Sequence, residues 1–321
     1  MLGLGTNIGT VNSKDPLVFS NSHVMTCDGT DDYLECDLAT DVFSKTTGTL
    51  SVWVNTNARA SMTFFQIYNS AAHANNKISL HNAGISGTGP SDALVFTYTS
   101  TVESTTYYHY CAAVVTTDYH GHGYSRKNAN YHSGGSGFTL EDSMYNNASN
   151  MTADQWEHYA CTWDTAETFT PTYANSASAS ITPSEITGAM RIYRNGVLMN
   201  HGQSSGTSSV SNNTVQATGG MTAISEVEFN QMRIGVSAAT SSDVNGEIGH
   251  VALFNSRLDD TGISRIYNSG TPNDLRQHAN ANRLVGYWTM QEAVGNTVYD
   301  LSGNANNFTL NNNIAFSTAT P

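Results

Sequence analysis

Leu50, Val52 and Val54 alternate with Ser51, Trp53 and Asn55 along TLSVWVNT (49–56), and this period of two is the chain's dominant pattern. An extended backbone sends successive side chains to opposite faces, so the alternation predicts a strand with one face on a core. Short runs rich in β-branched and aromatic residues recur before and after it. They include VMTC, YLECDL, MTFFQIY (62–68), KISLHN (77–82), ALVFTYTS (93–100) and YYHYCAAVV (107–115). WEHYACTWD (156–164), EFNQMRIGV (228–236), GEIGHVALFN (246–255) and VGYWTM (285–290) continue the series. Gly, Asn, Ser or Pro punctuates them, as expected of strands joined by turns. AMRIYRNGVLMN (189–200) predicts a hairpin turning on Asn195-Gly196.

Helical spacing is convincing in one place, DDTGISRIYNSG, where Ile263 and Ile266–Tyr267 share a face. Asp260 or Thr261 suits its start and Gly270 its end. Many strands with one short helix predict an all-β, two-sheet antiparallel jelly-roll sandwich with long loops. Trp53, Trp163 and Trp288 are expected to pack between the sheets. Three stretches carry no sustained period. Residues 1–22 read as a Gly/Asn-rich N-terminal arm. Residues 23–321 read as one domain with polar loop insertions near 117–155 and 165–188.

Composition narrows the partners. Of 321 residues, 26 are acidic and 13 basic, for a net charge of −13, and only 12% are charged. So acidic a surface repels phosphate backbones, which argues against nucleic acid as a partner. The four cysteines, Cys27, Cys36, Cys111 and Cys161, are too widely spaced for a CxxC zinc pattern and read as buried thiols. Cys27 and Cys36 flank a turn and would pair only if their strands were neighbours. The sequence shows neither a Sec-type leader nor an apolar run of membrane-spanning length, so no membrane insertion is expected.

Several blocks together resemble one family. CDGTDDYLE (27–35) resembles its F-D-G-x-x-D-Y pattern, with Cys27 in place of Phe. WEHYACTWD and MRIYRNGVL resemble its W-x-H, T-W-D and Y-x-N-G blocks, and GYWTMQEAVGNTVYDLSGNANNFTL resembles its W-x-M-x-E…D-x-S-G-N block. The order is that of laminin-G-like/concanavalin A-like jelly rolls, over roughly residues 24–310. In many secreted relatives the GYW…DLSGN block opens the domain, whereas here it closes it. That arrangement resembles laminin-G-like proteins encoded by tailed phages, especially marine ones.

The resemblance implies that DGTDD and DLSGN lie together and hold a structural Ca2+ ion. Asp28, Asp31, Asp32, Asp300, Ser302 and Asn304 would then supply its hard oxygens. The same residues are also ordinary turn formers. In the long loop, His120 and His122 face one way on an extended chain, as metal ligands would, but have no acidic or thiol partner at ligand spacing. Tyr119, Tyr124, Tyr131 and Tyr145, with Arg126, suit either a sugar or a subunit contact. Glycosidases of this fold carry an E-x-D-x-x-E set on one strand. The nearest match, Glu226 and Glu228, has same-face spacing but no third carboxylate. No G-x-S-x-G elbow supports a nucleophilic serine.

Three readings compete. The first is a non-enzymatic virion structural protein, a capsid decoration or tail-appendage subunit. It would contact other virion proteins or identical subunits through its arm and loops. The second is a lectin or host-adhesion module binding host glycans, in the virion or otherwise extracellular. The third, weakened by the missing carboxylates, is a glycosidase.

Overall fold

The computed structural model describes residues 19–56, 62–84, 91–114, 154–170, 185–199, 202–207, 220–239, 242–312 and 314–321. The strands are β1 (Val24–Asp28), β2 (Tyr33–Asp37), β3 (Thr47–Thr56), β4 (Met62–Tyr68), β5 (Lys77–Gly84), β6 (Ser91–Val102), β7 (Thr105–Val114), β8 (Trp156–Phe169) and β9 (Ile186–Arg194). They continue with β10 (Val197–Leu198), β11 (Gly202–Gly206), β12 (Gln231–Ile234), β13 (Asn245–Phe254), β14 (Leu284–Trp288), β15 (Thr297–Val298), β16 (Phe308–Asn311) and β17 (Ala315–Ser317). Helix α1 (Asp260–Tyr267) joins β13 to β14.

The strands form two antiparallel sheets. The first runs β10-β9-β8-β3-β13-β1-β17, with β14 paired to the far end of β13. The second runs β11-β7-β6-β5-β4-β12-β2-β16-β15. Neighbours in space are often distant in sequence, as when β1 pairs with β13 and β2 with β12. This two-sheet arrangement is an all-β jelly-roll sandwich.

Alternation places the core. Leu50, Val52 and Val54 of β3 face Ile78, Leu80, Phe96 and Ile67 of the other sheet. Trp163 and Trp288 lie in this inter-sheet core as expected, but Trp53 does not. It points outward with Ser51, beneath α1, stacked on Tyr267 with centroids 5.7 Å apart. The reason is a second apolar layer. Ile263 and Ile266 of α1 join Leu275, Tyr287, Tyr193 and Phe254 over the outer face of the first sheet. Both faces of β3 are therefore buried.

The irregular segment 220–230 closes one end of the sandwich. Met221 and Phe229 enter the core, and the Met221 N–H donates to Gly188 O at 2.9 Å. Contact there is so close that a Cβ on Gly220 would sit 1.6 Å from Thr187 O.

Four expectations change. EFNQMRIGV is a strand only over Gln231–Ile234, because the residues before it make loop contacts instead. The excursion at 165–188 is shorter, since β8 and β9 still pair at Phe169–Ile186. Helix α1 is capped by Asp259, whose carboxylate accepts Gly262 N–H at 2.8 Å, and ends at left-handed Asn268. Residues 19–22 of the expected arm lie against the domain: Asn21 donates to Pro321 O at 3.0 Å, and Gln291 accepts Ser22 N–H at 2.8 Å. Cys27 and Cys36 sit in different sheets, and all four thiols are buried and free.

Candidate functional site

Protein donors brace both acidic turns. Asp300 has both oxygens occupied by protein donors. Oδ1 accepts Tyr287 N–H at 2.9 Å and Ser302 N–H at 2.8 Å. Oδ2 accepts the Ser302 hydroxyl at 2.8 Å and Asn306 N–H at 3.0 Å. Asn304 donates to Leu284 O and Val285 O, so the loop is stapled to β14. In the other turn, Asp28 Oδ1 accepts Thr30 N–H at 2.7 Å and Asp32 Oδ2 accepts Asp28 N–H at 3.0 Å. Asp31 takes a left-handed backbone, and its carbonyl accepts from Asn312 Nδ2. Among the described residues no three His, Cys, Asp or Glu side chains come together to hold a metal. Asp300, Ser302 and Asn304 thus act as a staple whose carboxylate is already filled by protein donors, and Asp28 and Asp32 accept backbone N–H groups within their own turn.

Two serine–histidine pairs that join separate strands occur among the described residues, and neither is a triad. Ser51 Oγ lies 2.8 Å from His158 Nε2, but His158 Nδ1 is buried without a partner. Ser205 Oγ lies 2.6 Å from His109 Nδ1, and His109 Nε2 donates to Ala223 O at 3.0 Å. No carboxylate orients either ring, and burial pushes His158 down to about 3 and His109 to about 4. Glu226 and Glu228 lie before β12, not on a strand. Glu228 is held by Lys45 Nζ at 2.7 Å, and Glu226 accepts Glu103 N–H at 3.2 Å.

Tyr119, His120, His122, Tyr124, Arg126, Tyr131 and Tyr145 lie outside the described residues, as do the arm at 1–18 and the loop at 115–153. The virion-subunit expectation rests in part on these segments.

A constellation the motifs did not reveal sits on the outer face of the second sheet. Leu34, Cys36, Met232, Ile234 and Phe308 point into the core. Alternation then turns Tyr33, Glu35 and Asp37 outward beside Gln231, Arg233, Thr309 and Asn311. Register makes rows across the strands: Gln231 donates to Asp37 Oδ1 at 3.0 Å, and Arg233 Nε pairs with Glu35 Oε2. The Arg233 guanidinium lies 4.5 Å over the Tyr33 ring and 5.8 Å from that of Tyr68. The Tyr68 hydroxyl donates to Glu35 Oε2 at 2.8 Å.

Electrostatics hold Tyr68 neutral and Arg233 charged. Burial and the Glu35 carboxylate raise the Tyr68 phenol above its ordinary range, so it stays a donor. Burial opposes the Arg233 charge, yet the Glu35 hydrogen bond and neighbouring groups outweigh it and hold the guanidinium above its ordinary value. Asp37 and Thr309 are exposed, and Tyr33, Glu35, Gln231, Arg233 and Asn311 are half-buried. The period-two polar positions in YLECD and QMRI carried the signal, but it needed the β2–β12 register to become a site.

No family model matches the chain, and no curated protein matches it. Solved structures resemble it at low identity. A native heptameric SAP-like pentraxin from Limulus polyphemus is 11% identical with a TM-score of 0.48, covering 93% of this chain and 95% of that one. A protein from Bacteroides ovatus, described as carbohydrate-binding, is 12% identical with a TM-score of 0.48; the match covers 94% of this chain but 60% of the other. The botulinum neurotoxin serotype D binding domain is 12% identical with a TM-score of 0.39, covering 79% of this chain and 44% of that one.

Proposed function

We propose that the chain is a non-catalytic, lectin-like carbohydrate-binding domain whose ligand lies along the β12–β2–β16 strip. The observation that carries this reading is the row formed by Tyr33, Glu35 and Arg233, with Asp37, Gln231 and Asn311 around it. A sugar ring offers hydroxyls along its edge and C–H groups on its face. Planar amides, carboxylates and guanidinium match the first, and an aromatic ring matches the second. The strip holds these groups on strands, whose backbone is stiffer than a loop's. The absence of a triad from the two serine–histidine pairs, and the Lys45 pairing of Glu228, support a binding role over a hydrolytic one.

The test is a glycan array followed by calorimetry on the best binder, comparing the native chain with Tyr33→Ala and Asp37→Ala. Losing the aromatic face or the exposed carboxylate should weaken binding by about tenfold or more, or ~1.4 kcal/mol, with the melting temperature nearly unchanged. Binding to no glycan, or equal binding by Tyr33→Ala, would overturn the reading.

A further inference from the structure

A cavity of about 430 Å³ opens on the other side of the molecule, between the end of α1 and the chain that follows it. It falls within the ~300–1,000 Å³ range of small-ligand sites. Ser264, Arg265 and Asn268 form one wall, and Asn273, Asp274 and Gln277 the other. The frame is braced. Asn273 Nδ2 donates to Arg265 O at 3.1 Å, Asn268 Nδ2 to Thr271 O at 3.1 Å, and His278 Nε2 to Gly262 O at 3.2 Å.

The lining carries one guanidinium, Arg265, and one carboxylate, Asp274. Asp274 is clasped by Arg276 through two contacts of 2.9 Å, so its carboxylate is compensated from behind the lining. Arg191, Arg194, Arg233, Arg257 and Arg276 each hold a carboxylate, whereas Arg265, like Arg283, has no ion pair among the described residues. A chain of net charge −13 therefore presents an uncompensated guanidinium at the mouth of a cavity. Ser264, Arg265, Asn268 and Gln277 are all exposed there. Apart from the Ala279 methyl the lining is polar, which disfavours an apolar ligand.

We propose that this cavity binds an acidic sugar unit, a polyhydroxylated ring bearing one carboxylate. The carboxylate meets Arg265, whose planar fork suits bidentate pairing, and the hydroxyls meet Ser264, Asn268 and Gln277. The site is separate from the β12–β2–β16 strip. It lies on the α1 layer over the first sheet, whereas the strip is on the outer face of the second.

The experiment is an amide-shift titration of the full chain by NMR with three probes: glucuronate, glucose and acetate. Glucuronate should shift amides of residues 264–278 saturably, with glucose and acetate at least about tenfold weaker, or ~1.4 kcal/mol. Arg265→Gln should remove the preference for glucuronate over glucose, and Tyr33→Ala should leave the titration unchanged. Acetate as strong as glucuronate would mean a simple anion contact and overturn the proposal. Glucose as strong as glucuronate, indifference to Arg265→Gln, or no saturable shift would overturn it too. Because Tyr33→Ala and Arg265→Gln probe different faces, failure at one site is distinguishable from failure at the other.

Discussion

Asp300 accepts the backbone N–H of Tyr287 at 2.9 Å, across 13 residues of chain. This bond ties the DLSGN turn to β14, and three more donors complete the carboxylate's shell. Asp300→Ala would leave the Tyr287 and Asn306 N–H groups without their acceptor. The expected cost is about 2–4 kcal/mol, because orphaned buried donors cost more than an average hydrogen bond contributes. Urea denaturation measures it. Since protein donors already fill the carboxylate, chelator should not move the midpoint of the native chain. A chelator-induced loss as large as that of Asp300→Ala would contradict the staple.

Gly48 lies under Trp163, its cross-strand partner. A Cβ there would sit 2.1 Å from Trp163 Cζ2. Gly48→Ala should therefore destabilise by about 1–3 kcal/mol through overpacking. Trp163→Phe should be costly alone, yet Gly48→Ala should cost less in its background, because the smaller ring vacates the space. Purely additive effects in a double-mutant cycle would count against direct contact.

These two features mark how far the sequence could be read. The β3 alternation assigned Leu50, Val52 and Val54 to the core because strand geometry alone decides it. The same pattern could not place Trp53, because nothing within the strand says that α1 will cover the other face. Asp300 and Ser302 were legible as turn formers, but not the destination of the carboxylate, which depends on where β14 lies. The Glu35–Arg233 pair joins residues 198 apart, so local spacing holds no trace of it. The helix was found, but its cap fell one residue early, at Asp259, because adjacent aspartates are equally good acceptors on paper.

Acid should weaken the fold through buried histidines. His109, His158 and His250 are neutral in the native state, and burial lowers them to about 4, 3 and 4 respectively. In the unfolded chain they titrate near the ordinary 6.5, so the unfolded state binds more protons as pH falls. Stability is full above pH 6.5 and is lost progressively toward pH 4. Each histidine contributes up to about 1.4 kcal/mol per pH unit within that window. Urea midpoints from pH 7.5 to 4.5 measure the slope. A flat profile between pH 6.5 and 5 would show that these rings are not buried neutral.

Two glutamate substitutions should separate structural from surface charge. Glu157 pairs with Arg194 between the sheets, where the side chains are only 8% and 7% exposed, and Tyr159 donates its hydroxyl to the same carboxylate. Glu157→Gln removes a carboxylate from the buried Arg194 guanidinium, at an expected cost of about 3–5 kcal/mol. Replacing both partners, as Glu157→Gln with Arg194→Met, should cost less than the single change, because the buried cation is removed together with its carboxylate. Glu228 is 54% exposed, and its bond to Lys45 is screened by water. Glu228→Gln should therefore change stability by no more than about 1 kcal/mol. It should also leave glycan binding intact, because Glu228 lies outside the Tyr33–Arg233 strip. Equal losses from Glu157→Gln and Glu228→Gln would mean that the interior pair is hydrated. A loss of glycan hydrolysis with Glu228→Gln would instead reinstate a catalytic reading.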